Sequence, residues 1–215
     1  MNADPVSLIV IMAVLALAPL AIATMTSFLK IAVVLSLVRN ALGVQQAPPN
    51  MVLYALALML SMFIMAPVGN EMARVIESNP QALQTPAGLI ATAKAGAEPL
   101  RRFLLNNSDP RQRNFFIDQA RRIWPPEMSA GVAQDHLAIL VPAFVVTELT
   151  AAFEIGFLLF LPFVVIDLVI SNILMAMGMM MMSPVTISLP LKLFLFVMVD
   201  GWTRLLQGLI LTYRY

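Results

Sequence analysis

Long apolar segments that contain charges and prolines constrain this chain more than any other feature of its sequence. Between residues 137 and 202, two such segments are joined by a turn rich in methionine. Several runs in the chain reach the roughly 20 mostly apolar residues that a helix needs to cross a bilayer. Because charged residues cost free energy in lipid, the segments predict membrane helices that face protein or water on part of their surface.

The first half of the chain contains two further apolar segments. One covers residues 6–38, interrupted at Pro19, and the other covers residues 51–67. A straight helix over the first would be about 50 Å long at 1.5 Å per residue, whereas the hydrocarbon core of a bilayer is about 30 Å thick. We therefore expect a break near Pro19 or Thr24, and an antiparallel hairpin across the polar link at residues 43–50.

The composition changes between residues 68 and 135. This stretch holds eight of the thirteen Lys and Arg residues and seven of the twelve acidic residues. Residues 98–106 and 109–124 are expected to form amphipathic helices, the second with Asp109 as its N-cap and Pro110 at its first position. The stretch is predicted to be a small soluble helical insert.

The predicted fold is therefore all-α, with helical hairpins in the membrane, and it has three parts. Residues 1–67 form an N-terminal apolar helical hairpin, and residues 68–135 form the soluble insert. Residues 136–215 form a C-terminal helical hairpin with a methionine-rich loop.

Prolines recur in the second half of the chain, at Pro142, Pro162, Pro184 and Pro190. Membrane proteins tolerate discontinuous helices where these are buried in protein or border water, so the prolines indicate interrupted helices beside a passage. One chain has too few helices to enclose a wide passage, and a homo-oligomer is expected. A literal count of positive charges places the insert inside the cell, although it is longer than the loops for which that rule works well.

Charged side chains lie within the apolar segments. A lone charge at the centre of a membrane helix costs about 2.5–3.5 kcal/mol on insertion scales, so each must pair or line water. Structural ion pairing that fixes helix packing is one interpretation, and a proton relay or channel lining is the other. Asp200 and Arg204 have the favourable i,i+4 order, while Asp167 and Lys192 lie on opposite arms of a hairpin and could meet. The full set is Glu148, Glu154, Asp167, Asp200, Lys30, Lys192 and Arg204.

The methionine turn contains four consecutive methionines after Gly178. Methionine is flexible and polarisable, so it fills irregular space and repacks. Consecutive residues cover every face of a helix, and some of these side chains must meet another chain or the mouth of a pore. A deformable seal is the functional interpretation, and a loop buried against partner subunits is the alternative. The residues are Met177, Met179, Met180, Met181 and Met182.

Phe153, Phe157 and Phe160 share one face of a helix by their spacing. Ordinary packing explains this face without a further function, and a constriction of the channel is the alternative.

Other chemistry finds little support in the sequence. There is no cysteine, the net charge is +1, and the one histidine, His136, has no partner at ligand spacing, so neither a metal site nor nucleic-acid binding is expected. Ser27 and Lys30 match a Ser-x-x-Lys spacing known from some hydrolases, but the companion motifs are absent. No nucleotide-binding fingerprint is present. We expect no cofactor and no enzymatic activity.

Short motifs across nearly the whole chain resemble those of the SctR/FliP family, the export-gate subunit of type III secretion systems. The resemblance is closer to the injectisome branch than to the flagellar branch. The motifs include Thr26-Ser27-Phe28, Arg39-Asn40-Ala41-Leu42-Gly43, Gln45-Gln46, Pro48-Pro49-Asn50, Met65-Ala66-Pro67, Ala152-Phe153-Glu154-Ile155-Gly156-Phe157, Leu161-Pro162-Phe163, Ile166-Asp167-Leu168, Met177-Gly178-Met179-Met180-Met181, Ser188-Leu189-Pro190 and Asp200-Gly201-Trp202.

The resemblance implies a pentamer that assembles with a small two-helix subunit, a larger subunit and an autoprotease switch subunit. Such an assembly forms a helical channel that admits unfolded proteins across the bacterial inner membrane, with residues 177–182 as its gasket. The resemblance also implies that the insert lies on the periplasmic side, against the charge count. The alternative function is a proton-coupled transporter that uses Glu154 and Asp167.

Overall fold

The computed structural model describes most of the chain, namely residues 12, 16–17, 19–44, 47–78, 86–129, 131–179 and 181–215. The start of the first apolar segment, Gln45 and Gln46 of the family motifs, and Met180 of the methionine turn lie outside the described residues.

The described residues form nine helices and no strand, so the predicted all-α fold is confirmed. The helices are α1 (Pro19–Met25), α2 (Phe28–Ala41), α3 (Asn50–Glu77), α4 (Pro86–Asn107), α5 (Pro110–Ile123), α6 (Pro126–Ser129), α7 (Leu137–Ala176), α8 (Pro184–Met198) and α9 (Gly201–Leu211).

Among the described residues, two helices, α3 and α7, are long and apolar enough to cross a membrane. The count rises to four if α1 with α2, and α8 with α9, each form one broken span. These counts rest on length and composition. Only 11% of an 18-residue apolar stretch of α7 is buried within the chain, so that stretch needs lipid or another protein to cover it.

The helix break in the first apolar segment falls at Thr26 and Ser27, just after the positions predicted from Pro19 and Thr24. The hydroxyl of Thr26 donates to the carbonyl of Ile22 (2.5 Å) and accepts from the backbone N–H of Phe28 (3.3 Å). A side chain that takes part in local backbone bonding competes with the helical ladder. The break therefore coincides with the backbone contacts of the Thr26 hydroxyl and not with Pro19.

The interruptions predicted at Pro142, Pro162 and Pro190 are wrong. Helix α7 continues for 40 residues through the first two, and α8 continues through Pro190. A proline removes one backbone hydrogen bond, but apolar surroundings make it costly to leave further backbone groups unpaired, so the rest of the ladder persists. Pro184 instead begins α8, where its missing N–H costs nothing.

Contacts divide the chain into two compact units, with boundaries inside α2, α3 and α7. The three-part division at residues 1–67, 68–135 and 136–215 stays a prediction. The first unit comprises the described part of residues 1–29 with residues 63–148 and 215, and the second comprises residues 30–62 and 149–214.

The first unit has an aromatic core. The ring of Phe103 lies 5.9 Å from that of Phe144 and 6.4 Å from that of Tyr215, and both phenylalanines are buried. The hydroxyl of Tyr215 donates to the carbonyl of Ile64. This core holds α4 against the N-terminal part of α7.

Helix α5 in the first unit begins as the sequence predicts. Asp109 is the N-cap, its carboxylate accepts from the backbone N–H of Arg111 (2.7 Å), and Pro110 follows it. Arg113, three positions on, is buried, and its Nη1 donates to the carbonyls of Leu105 (2.7 Å) and Ser108 (2.9 Å). These bonds hold the C-terminal end of α4, which begins at Pro86, earlier than the predicted helix at residues 98–106.

The second unit is built on α2 and the C-terminal part of α7. Ile31, Val34, Leu35 and Val38 form the buried face of α2. At Gly156 on α7, an added Cβ would overlap the side chain of Leu37. The glycine therefore allows the two helices to approach closely.

Candidate functional site: the methionine turn and the ion pair

The methionine turn starts from a well-defined helix end. The backbone N–H of Gly178 donates to the carbonyl of Met175 (3.0 Å), and that of Met179 donates to Leu174 (2.9 Å). This pair of bonds, with Gly178 at a φ of 73°, is the Schellman arrangement that ends many helices. Because an L-residue rarely adopts this φ, the position of the turn depends on that glycine.

The methionine side chains of the turn are exposed. Met177 is 66% exposed, Met181 is fully exposed, and Met179 and Met182 also lie at the surface. Met180 is not among the described residues. In the chain alone, the turn therefore presents flexible apolar side chains, of which Met177 and Met181 are mostly uncovered by the described chain and Met179 and Met182 are partly covered.

Phe153, Phe157 and Phe160 lie together on one exposed face of α7. Packing inside this chain therefore does not account for them. They are available to lipid or to a partner subunit, and a constriction of a channel stays a prediction.

Asp167 on α7 and Lys192 on α8 form the ion pair that their sequence positions allow. The ammonium of Lys192 lies 2.6 Å from Oδ2 of Asp167, and the lysine is only 4% exposed. Ser188 donates its hydroxyl proton to Oδ1 of the same carboxylate (2.5 Å), and Lys192 also donates to the carbonyl of Ala41 (3.3 Å). The pair thus joins α7, α8 and the end of α2 within the second unit.

The predicted ion pair of Asp200 and Arg204 does not form. Asp200 adopts a left-handed φ of 54° at the 60° bend between α8 and α9, and its carboxylate accepts from the hydroxyl of Thr203 (3.0 Å). The i,i+4 rule requires both residues to lie in one helix, and Asp200 precedes the first turn of α9. Arg204 is exposed, and no carboxylate of the described residues lies within 4.0 Å of it.

The other predicted charges have separate surroundings. Lys30 is buried, with its ammonium 3.8 Å from the centre of the Tyr213 ring, a cation–π contact. Glu148 is also buried, whereas Glu154 is exposed. Ser27 has no exposed surface, which argues against its use as a hydrolytic nucleophile. Within the described part of the chain, no group of three His, Asp or Glu side chains could hold a metal ion.

Sequence reasoning missed two parts of this site. Ser188 precedes Lys192 by four residues and so shares its helical face, a signal that could have identified it as a further partner of Asp167. The aromatic cluster at the α8–α9 bend gave no comparable signal. There, the ring of Phe196 lies 5.3 Å from that of Trp202 and packs over Gly201.

The fold and the site define an all-α membrane protein with an uncovered methionine turn and aromatic face, and with an ion pair that joins its helices. The chain belongs to the FliP family, whose family model matches residues 11–209. The resemblance to the SctR/FliP family of type III secretion export proteins is thereby confirmed.

Individual relatives match the chain over almost its full length. It is 51% identical over 210 residues to Yop proteins translocation protein R of Yersinia pestis, and the aligned region covers 98% of this chain and 97% of that protein. It is 46% identical over 210 residues to Harpin secretion protein HrcR of Erwinia amylovora, again with 98% and 97% coverage. It is also 46% identical over 210 residues to Virulence protein YscR of Salmonella typhimurium, with 96% coverage of each chain.

Proposed function

We propose that this chain is a core subunit of the export gate of a type III secretion system. Copies of it form the channel through which unfolded proteins pass into the secretion machine across the bacterial inner membrane. Membership of the FliP family supports this proposal, and so do the names of the relatives, which describe translocation, secretion and virulence proteins.

The observation that carries the proposal is the exposed methionine turn. Gly178 fixes where the turn leaves α7, while Met177, Met179, Met181 and Met182 remain at the surface. Unbranched thioether side chains can adapt to one another or to a passing chain of any sequence. Met180 would add a further thioether. Several such turns around an axis would form a gasket that closes on itself and opens around a substrate.

The proposed assembly is a homopentamer with a small two-helix subunit, a larger subunit and an autoprotease switch subunit. The 18-residue apolar stretch of α7 of which only 11% is buried within the chain supports coverage by neighbours. The face of Phe153, Phe157 and Phe160 is then either a contact between subunits or a constriction in the lumen. The subunit carries out no catalytic step and needs no cofactor, because an ATPase and the proton motive force elsewhere in the machine drive transport.

Ion conductance tests the gasket. Replacement of residues 179–182 by alanine should increase the leak of ions through the assembled complex in a planar bilayer, because alanine is too short to close the gap. Met59 and Met62, which are exposed on α3, provide the control when both are replaced by alanine. A conductance equal to that of the parent complex, in a variant that assembles normally, would contradict the gasket.

The proposed orientation puts the insert in the periplasm. Because the chain has no cysteine, a single Arg111→Cys substitution provides one thiol on a side chain that is 91% exposed. A membrane-impermeant maleimide should label this thiol in intact cells whose outer membrane has been made permeable. Labelling only after the inner membrane is opened would place the insert in the cytoplasm.

The second candidate function is a proton-coupled transporter, which the partly exposed acid Asp167 within an apolar helix favours. In that case, Asp167→Asn and Glu154→Gln should each abolish transport while the complex still assembles. If Asp167→Asn prevents assembly of the complex, and the complex with Glu154→Gln still transports substrate, the acids have a structural role and not a proton-carrying one.

A further inference from the structure

An apolar groove of about 440 Å³ lies in the second unit, between the C-terminal part of α7 and the bent pair of α8 and α9. Phe163, Leu205 and Leu209 are buried and form its floor, and almost all of its other lining is apolar. The volume lies within the range of sites that hold small molecules.

Gly208 lies on the wall of this groove, and a Cβ added there would meet no atom within 4 Å. The space beside it is therefore open to a ligand. Gly201, on the same groove, is different, because an added Cβ there would overlap the ring of Phe196.

Among the described residues that line the groove, Arg204 carries the one charged side chain. Its guanidinium is exposed, and within the described part of the chain no carboxylate lies within 4.0 Å of it. Asp200, four residues earlier, bonds to Thr203 instead. A cation without a carboxylate partner, on helices apolar enough to form a broken membrane span, favours an anionic ligand from the membrane.

We propose that this groove binds one acyl chain of an anionic phospholipid, with the lipid phosphate held by Arg204. Basic pockets between membrane helices bind phosphate headgroups, and the guanidinium fork matches phosphate geometry. The apolar floor covers the hydrocarbon chain while the cation remains at the level of the headgroup.

The size of the groove favours a lipid over a helix from a second copy. A helix with its side chains is about 10 Å across and rises about 5.4 Å per turn, so a space of this volume holds roughly one turn. An alkyl chain is thin and flexible and can fill the same space along its length.

Lipid retention tests the proposal. The complex is reconstituted in nanodiscs of equal parts phosphatidylglycerol and phosphatidylcholine, extracted into mild detergent and analysed by native mass spectrometry. The parent should retain phosphatidylglycerol over phosphatidylcholine by about fivefold, the preference that one cation near the surface provides. Gly208→Leu should lose retained lipid because its side chain fills the groove, whereas Arg204→Gln should retain both lipids equally.

Two substitutions outside the groove serve as controls. Gly69→Leu adds the same side chain at another open glycine, and Arg111→Gln removes an exposed charge from α5. Both should behave as the parent does.

Three outcomes would overturn the proposal. They are equal retention of the two lipids by the parent, unchanged retention in Gly208→Leu, and a cross-link from Gly208→Cys to another protein chain. If Gly208→Leu does not assemble, Gly208→Ala should show a smaller loss in the same direction, and no loss would again overturn the proposal. Lipid binding and the gasket are measured separately, so the failure of one leaves the other standing.

Discussion

The ammonium of Lys192 on α8 lies 2.6 Å from the carboxylate of Asp167 on α7, and the two partners differ in exposure. The side chain of the lysine is 4% exposed, whereas that of the aspartate is 36% exposed. Removal of one partner from a buried pair is destabilising because it leaves the other charge without compensation. The cost therefore depends on which partner is removed.

Asp167→Asn should destabilise the protein more than Lys192→Met. The first leaves a buried ammonium with no compensating charge in the described chain and only neutral acceptors, such as the carbonyl of Ala41, at a cost of about 3 kcal/mol. The second leaves a carboxylate that is partly hydrated and still accepts from Ser188. Thermal unfolding of the purified complex measures the difference.

The double variant Asp167→Asn/Lys192→Met provides the control for that comparison. Because it removes the buried charge, it should be more stable than Asp167→Asn alone. Equal stability of the two single variants would show that burial of the lysine does not decide the cost.

Gly201→Ala should destabilise the bend between α8 and α9. The new Cβ would overlap ring carbons of Phe196, which is itself packed against Trp202, and overpacking of this kind costs about 1–3 kcal/mol. Gly69→Ala, inside α3 and away from the groove, is the control, because its Cβ meets open space and alanine favours a helix by about 1 kcal/mol. The melting temperature should fall for the first and stay level or rise for the second.

Arg113→Met should loosen the soluble insert. The guanidinium donates to Leu105 and Ser108 at the end of α4, and hydrogen bonds from charged groups contribute about 1.5–3 kcal/mol each. Amide exchange at the end of α4 should become faster in the full-length protein. Arg111→Met, on the same helix but 91% exposed, should leave exchange unchanged, and equal effects would contradict a specific role for Arg113.

Gly178→Ala should displace the methionine turn without changing its composition. A left-handed φ costs an L-residue about 1–2 kcal/mol, so the chain should leave α7 in a different direction. We expect a partial increase in ion leak, smaller than that of the alanine replacement at residues 179–182. Gly131→Ala, at a glycine with no atom near its added Cβ, should conduct as the parent does.

The parts of the fold that local chemistry decides could be predicted from the sequence. Asp109 and Pro110 start α5 because a carboxylate and a residue without an N–H suit a helix N-terminus. The contact of Asp167 with Lys192 could be anticipated because charges in apolar segments must find partners.

Other parts of the fold could not be predicted, because they depend on tertiary contacts that a local sequence pattern does not contain. Pro142 and Pro162 are residues that usually interrupt a helix, yet α7 is continuous because its apolar surroundings favour keeping the remaining backbone hydrogen bonds. Asp200 and Arg204 have the spacing of a pair, but the left-handed conformation of Asp200 removes it from the helix. In the sequence, Arg113 cannot be told from a solvated charge in a polar segment. Its carbonyl acceptors at Leu105 and Ser108 are brought to it by the fold of the end of α4.

Helix α7 runs for 40 residues without interruption, which corresponds to about 60 Å at 1.5 Å per residue. This length is about twice the thickness of the hydrocarbon layer, so lipid tails could not coat the helix from one end to the other even at a steep tilt. Roughly half of its length must therefore lie outside the hydrocarbon layer. A solubilised single copy should aggregate, and the finished complex should bind less detergent than its hydropathy suggests.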